Sequence, residues 1–402
     1  MTTTTAARTA SPAALLLIIT ALFALQPLST DLYLPSLPAI TRFFQADAHA
    51  VQMTLTVFVM AFGIAQLLAG PLSDRLGRLP TAIAATVLYS LASLLCAIAP
   101  SLDFLVLARL LQGVGACMAL VNARAIIRDA YSPDDGAKLM SKAGSLMAVA
   151  ILLGPLLGGF LQVHFGWRAA FIALSCAGLA ALIAVLTQLH ETNRFKNAQA
   201  TAPRALFATY GRIIRTPSFI AYTAAQAASY GGLFAFLSGS SLVLQKIILL
   251  SPQQYGVFFA VCTTGYLIGT FICRRALRRY GLFITLHLSA ATVLCGGLLI
   301  AGFALAGFQH WATLGGPMFI YLLGHGMCTP CTQAGASAAF PQHAGSAAGL
   351  MGFLQMLVAS AISLWIGVSF NHTVLPLALT VAAGAVALFF AVFGLVRRYG
   401  RL

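Results

Sequence analysis

The feature that most constrains this chain is a succession of continuously apolar runs, each long enough, at about 1.5 Å per residue, to carry a helix across bilayer hydrocarbon. We read twelve, over residues 12–40, 48–70, 80–99, 103–127, 139–163, 168–188, 216–244, 252–273, 282–306, 312–335, 346–369 and 374–396. The runs do not alternate apolar and polar residues with period two, so helices are predicted and a transmembrane barrel is not. With 60% apolar residues and only 8% charged, against roughly 25% charged in a soluble chain, a secreted or cytosolic enzyme and a single-anchor protein are both excluded. The predicted fold class is an all-α membrane protein of twelve transmembrane helices.

A net charge of +15 invites a nucleic-acid reading. Placing the 23 Lys and Arg residues removes it. Loops on the N-terminal side hold Arg8, Arg75, Arg78, Arg128, Lys138, Lys142, Arg194, Lys196, Arg204, Arg212, Arg215, Arg274, Arg275, Arg278, Arg279, Arg397, Arg398 and Arg401. The opposite loops hold Arg42, Arg168 and Lys246, and Arg109 and Arg124 fall inside the fourth span. An even number of spans puts both termini on one side, and the basic excess predicts that this side is cytoplasmic. The basic residues therefore act as an orientation signal, with the lipid bilayer as a partner and no nucleic acid. The N-terminal run lacks a small-residue cleavage site before the next span and is read as a retained first helix. Cysteines 96, 117, 176, 262, 273, 295, 328 and 331 lie within spans or at their ends and imply no disulfide framework. The longest polar connection, residues 189–215, divides the spans six and six. The expected organisation is an N-terminal bundle, 1–188, a cytoplasmic linker, 189–215, and a C-terminal bundle, 216–402.

Such a six-plus-six arrangement suits a secondary transporter with its substrate path between two helical bundles. Several motifs make this specific. Gly70-Pro71-Leu72-Ser73-Asp74-Arg75-Leu76-Gly77-Arg78 follows the second span and resembles the loop 2-3 signature of the major facilitator superfamily. Arg109-Leu110-Leu111-Gln112-Gly113-Val114-Gly115-Ala116 is similar to that superfamily's fourth-helix motif, and Gly154-Pro155-Leu156-Leu157-Gly158-Gly159 resembles the fifth-helix motif of its antiporters. Ser29-Thr30-Asp31-Leu32-Tyr33-Leu34-Pro35-Ser36-Leu37-Pro38 in the first span, with Ala344-Gly345-Ser346-Ala347 before the eleventh, looks like the Bcr/CflA drug exporters. The resemblance implies two pseudo-symmetric six-helix bundles in the major facilitator fold. Aligning Gly281 with Gly77 puts Arg278 and Arg279 where Asp74 and Arg75 stand, so the second copy of the loop lacks its carboxylate and any gating contact of Asp74 is asymmetric.

Of the eight acidic residues, Asp31 alone lies within a span. Counting along the helices places Asp31 roughly 12 Å and Arg109 roughly 10 Å below the outer boundary, so they could share a depth. A carboxylate in this position usually faces a cavity and has a task. It is either half of a static ion pair with Arg109 or a proton site whose occupancy answers to desolvation, to Arg109 and to arriving substrate. The resemblance implies proton coupling for Asp31. Arg109 could neutralise Asp31, bind an anionic substrate or satisfy backbone carbonyls, and the first is the favoured expectation. In the loop motif, the glycines Gly70 and Gly77 allow close helix approach and Asp74 can cap a helix N-terminus. Arg75 or Arg78 can pair with an acid such as Asp129 at the end of the fourth span. Gly154 and Pro155 with Gly158 and Gly159 permit a bend and tight packing.

Tyr222, Gln226 and Tyr230 recur at i, i+4 and i+8, one helical stripe that faces either the central cavity or a neighbouring helix. Met351 and Gln355, with Met356, offer a polarizable surface or core packing, and Tyr33 and Asn122 are further cavity candidates. His325, Cys328 and Cys331 have a metal-like spacing, but buried small thiols beside one hydrogen-bonded histidine are the simpler account, and no metal site is expected. No P-loop occurs, which removes direct ATP coupling, and no cofactor is implied. These features point to a single-chain, proton-coupled antiporter of the bacterial inner membrane that exports small amphipathic toxic compounds by alternating access. An exporter of one metabolite, such as an amino acid or sugar, and a non-transporting membrane sensor are the alternatives. No enzymatic activity is expected.

Overall fold

The computed structural model describes residues 12–193, 196–340 and 343–400. Arg8, Arg194 and Arg401, used above for orientation, lie outside the described residues, as does the side chain of Lys138. The chain forms helices α1 (Pro12–Asp31), α2 (Leu37–Phe43), α3 (Ala48–Leu76), α4 (Arg78–Ala97), α5 (Leu102–Ala130), α6 (Pro133–Phe165) and α7 (Trp167–Gln188). It continues with α8 (Pro203–Ile214), α9 (Pro217–Leu242), α10 (Pro252–Leu305), α11 (Trp311–Ala338), α12 (Ala344–Ser369), α13 (Leu375–Phe390) and α14 (Arg397–Tyr399). Ten of the helical stretches are long and apolar enough to cross a membrane, and no strand occurs among the described residues.

Local chemistry sets the helix ends. The Asp47 carboxylate accepts from Ala50 N at 2.7 Å and opens α3. Ser101 accepts from Phe104 N to open α5, and Ser251 with Gln254 forms a reciprocal capping box at α10. The predicted first span is interrupted. Pro35 and Pro38 withhold amide donors, and the chain passes through a 3-10 turn, Leu34–Ser36, between α1 and α2. The predicted loop between the eighth and ninth spans is a second departure. Residues 274–280 stay helical, so α10 runs for 54 residues and is broken only at Gly281, whose φ of +75° leaves the helical region. Gly77, at φ +110°, makes the corresponding break between α3 and α4, so the two glycines that align in sequence do the same backbone work.

Lipid tails are as apolar as leucine, so helices associate through close packing more than through hydrophobic transfer. Small residues supply that closeness: a Cβ at Gly113 would collide with the Phe58 carbonyl, and one at Gly63 would meet Met356 Cβ. Leu17, Leu91, Ile183, Phe390 and other large apolar side chains remain exposed on the outer surface, where lipid would cover them. Polar side chains collect inside, among them Asp31, Arg109, Gln112, Asn122, Gln226 and His325.

Segments before and after the connection meet along two seams. The first is α3 against α12, where Gln52 Nε2 and Thr56 Oγ1 both donate to Ser363 Oγ, at 3.0 and 2.8 Å. The second is α6 against α10, where Pro252 lies over Gly159 and Gly256 lies over Pro155. At the end remote from Gly77, Ser241 Oγ donates to Leu34 O at 2.6 Å and Gln245 Nε2 to Pro35 O at 3.2 Å. At that end, side chains of α9 and the turn after it bond directly to the backbone between α1 and α2.

Candidate functional site

The loop-motif residues and Asp129 gather where α3 and α5 end and α4 begins, near the connection. Arg78 is buried beneath them. Its Nη2 lies 2.7 Å from Asp74 Oδ1, its Nε donates to Asp129 Oδ2 at 2.6 Å, and its Nη1 donates to Ser73 Oγ at 3.0 Å. Arg128 approaches both acids at 3.6 Å from the solvent side. Ser73 Oγ donates to Asn122 Oδ1, and Asn122 Nδ2 donates to the Arg78 carbonyl, which ties α5 to the turn. Asn122 was expected to line the cavity and instead spends its amide on this turn, because it faces α4 from the buried side of α5.

Asp74 does not cap a helix N-terminus. Glu191 does so, accepting from Arg78 N at 2.9 Å and Leu79 N at 3.4 Å. Its carboxylate lies where a Cβ at Gly77 would be, and the φ of +110° there is what requires glycine. The connection then straps the motif: Asn193 Nδ2 and Asn197 N donate to the Asp74 carbonyl, and Arg75 Nη1 donates to Thr201 Oγ1 at 2.7 Å. Arg75 therefore holds the connection, and of the two motif arginines it is Arg78 that reaches Asp129. Gly70 lies within α3 in ordinary contact with Val121. In the second half, Arg278 and Arg279 form no ion pair among the described residues.

Deeper in the bundle, Asp31 and Arg109 are both buried and do not pair. Arg109 Nη1 donates to Ser29 O at 3.1 Å and to Gln112 Oε1 at 2.6 Å, and Nε donates to Thr54 O at 3.3 Å. Its guanidinium lies 4.3 Å from the Phe58 ring centre and 4.7 Å from that of Tyr33. The favoured expectation of a neutralised Asp31 is thus corrected: Arg109 satisfies carbonyls of α1 and α3 and stacks on aromatic faces. Tyr33 is fully buried under Arg109 with its hydroxyl bonded to Thr54, so it packs and presents no open surface in this conformation.

Asp31 accepts from Thr30 Oγ1 at 2.9 Å. It lies close enough to Tyr230 and Tyr255 of the following half to interact with them electrostatically. The Gly-Pro motif of α6 shapes this place. Gly154 lets α6 come against Asp31 Cβ, Gly158 lets it come against the Leu32 carbonyl, and Pro155 and Gly159 meet α10 on the other flank.

The α9 stripe divides. Tyr222 donates from its hydroxyl to Gly400 O at 2.8 Å and presses its ring on Gly335, so it anchors the C-terminal turn. Gln226 accepts from Thr332 Oγ1 at 2.6 Å and donates to Gln355 Oε1 at 3.3 Å, joining α9, α11 and α12. Tyr230 is partly open, with its ring centre 6.1 Å from His325, whose Nδ1 is 2.8 Å from Ser229 Oγ. Met351 is buried, and Gln355 is half-buried beside Gln226. The described residues contain no group of three or more possible metal ligands.

Sequence reasoning missed Glu191, although it is the only glutamate in the chain and begins the connection. It also left Arg124 without a task. That side chain is reached by solvent though protein surrounds it, and it forms no ion pair among the described residues.

Comparison with known proteins places this geometry. The family model described as Major Facilitator Superfamily matches residues 19–364. The chain is 31% identical to the uncharacterized MFS-type transporter YdgK of Bacillus subtilis, over 96% of each chain. It is 28% identical to multidrug resistance protein D of Escherichia coli over 87% of each, and 26% identical to a bicyclomycin resistance protein homolog of Haemophilus influenzae over 93% of this chain and 94% of that one. In fold it resembles the xylose transporter XylE from E. coli in a partially occluded inward-open conformation, with TM-score 0.71, 17% identity and coverage of 94% and 96%. The chain is a multi-pass membrane transporter of the major facilitator superfamily, with relatives named for multidrug and antibiotic resistance.

Proposed function

We propose that this protein is a proton-coupled antiporter that exports small amphipathic drugs across the bacterial inner membrane by alternating access, working as a monomer. Counting α10 as two crossings either side of Gly281 and adding α11 takes the ten apolar stretches to twelve. Twelve crossings with the basic residues at one end put both termini in the cytoplasm. Residues 1–188 and 216–402 are then the two moving bundles, and 189–215 the cytoplasmic linker. Because the end remote from Gly77 is held shut through Leu34, Pro35 and Pro252, this conformation is closed toward the outside.

The observation that carries the reading is Asp31. It is the one acid that the sequence places within a span, it is buried, its bonded partner is a hydroxyl, and no cation pairs with it among the described residues. An ionised carboxylate in such a place costs free energy, so its charge is coupled to whatever occupies the adjacent space. On this reading the drug binds near Asp31 and Tyr230, so a bound drug and a proton on Asp31 compete. Arg109 stays charged and holds α1, α3 and α5 in register around that acid. In proteoliposomes with an inward proton gradient, Asp31→Asn should abolish uphill drug export while drug binding persists. Substrate-triggered proton release from detergent-solubilised protein should vanish with it. Uphill export by the asparagine variant, with proton release intact, would move the coupling site elsewhere, and His325 would be replaced next.

A further inference from the structure

The connection between the two sets of spans ends in α8, and this helix has two unlike faces. Leu206, Tyr210 and Ile213 turn inward, with Ile213 buried and the Tyr210 hydroxyl donating to Leu67 O at 2.8 Å, so the helix is fastened to the bundle. The outer face is not that of a helix meant for water. Phe207 is 77% exposed and Ile214 42% exposed, flanked by the exposed Arg204, Arg212 and Arg215. None of the three arginines forms an ion pair among the described residues, and Glu191, the one acid of the connection, is committed to the amides of α4.

Phe207, Ala208, Gly211, Arg212, Arg215 and Thr216 enclose an open hollow of about 450 Å³. Two features of the hollow favour an anion. Two guanidinium groups border it, and it adjoins the N-terminus of α9, where Thr216 turns its hydroxyl back to Arg212 O and leaves the first amides of the helix without a side-chain cap. Uncapped amides at a helix start, backed by the helix dipole, attract negative charge. The chain also locates the hollow: Pro217, two residues after Arg215, begins an apolar stretch long enough to span. Arg212 and Arg215 therefore sit where hydrocarbon gives way to water, with Phe207 beside them as an interfacial aromatic.

We propose that this hollow binds the phosphate headgroup of an anionic phospholipid, with Arg212 and Arg215 on the phosphate and Phe207 against the glycerol and acyl boundary. A soluble anion would leave Phe207 and Ile214 in water. A lipid covers them and supplies the charge together, which is why a lipid is the occupant. Seated there, it joins the linker to the start of α9 and makes the position of the second bundle sensitive to membrane composition.

The test uses the full chain in mild detergent, with phosphatidylglycerol or phosphatidylcholine added and retained lipid counted by native mass spectrometry. Wild-type protein should retain phosphatidylglycerol in preference to phosphatidylcholine. Replacing Arg212→Gln and Arg215→Gln together should weaken that retention roughly thirtyfold, as expected for two basic residues at an anionic surface. Arg212→Lys with Arg215→Lys keeps the charge and should stay within about threefold of wild type, which separates loss of binding from loss of fold. Arg397→Gln with Arg398→Gln removes the same charge from another basic stretch and should leave retention unchanged. Equal losses in the two glutamine pairs, or no headgroup preference in the wild type, would overturn the site. Displacement of the lipid by millimolar inorganic phosphate would assign the hollow to a free anion and overturn the lipid proposal.

Discussion

Arg78 offers the sharpest test of the cluster below the α3–α4 turn. Replacing it with glutamine leaves two carboxylates that now share one guanidinium. Asp129, whose side chain is 16% exposed, loses a 2.6 Å charge-assisted bond, while Asp74, at 42%, keeps water and the 3.6 Å approach of Arg128. Stranding a largely buried charge costs about 3 kcal/mol, the lower part of the range for breaking buried pairs, because Arg128 still reaches Asp129. The exposed Asp74 contact adds under about 1 kcal/mol after screening. The total expected loss is about 3 kcal/mol, more than a hundredfold in a two-state population. Arg75→Gln is the matched control, since it removes an arginine three residues away whose bond to Thr201 is exposed and worth about 0.5 kcal/mol. Unfolding of each variant in mixed micelles of increasing dodecyl sulfate reads the difference. Asp129→Asn in the Arg78→Gln background should restore about 1–2 kcal/mol by removing the stranded charge. If Arg78→Gln and Arg75→Gln unfold alike, or if the second substitution adds to the loss of the first, the cluster does not hold the turn as described.

Asp74→Asn should slow transport while leaving substrate affinity within a few fold, since Asp74 pairs with Arg78 and Arg128 at the turn; a wild-type transport rate would refute this. Glu191→Ala removes the carboxylate over the first amides of α4 and should cost about 1 kcal/mol. The freed connection should then be cleaved faster by protease near residues 192–202, and unchanged cleavage would argue against the strap. Gly158→Val forces a side chain into the Leu32 carbonyl and should destabilise the protein by about 1–3 kcal/mol, whereas Gly144→Ala, in open space, should be neutral in the same unfolding assay. In a background lacking the native cysteines, a cysteine at Tyr230 should react with a water-soluble thiol reagent and be protected by substrate. One at Tyr222, sealed against Gly335 and Gly400, should not react, and equal labelling would restore the undivided stripe.

Hydropathy is a local property, and it is why the all-helical membrane fold and its long apolar helices were legible in the chain. A run of apolar residues must bury its backbone in helix wherever it meets lipid, and that requirement needs no knowledge of neighbours. Glycine breaks were legible for the same reason: Gly77 and Gly281 answer to backbone geometry alone. Partners of polar side chains are not local. Asp31 and Arg109 sit at similar depth on neighbouring helices, and depth was all that counting residues could supply. Which way each side chain turns depends on the rotation of α1 and α5, and that rotation carried Arg109 to the carbonyls of Ser29 and Thr54. The same uncertainty turned Asn122 from the cavity to the loop and separated Tyr222 from Tyr230. Glu191 shows the limit most clearly. More than a hundred residues separate it from the amides it caps, and only the folded connection brings its carboxylate to them, because a helix start will take whatever acceptor tertiary structure places there.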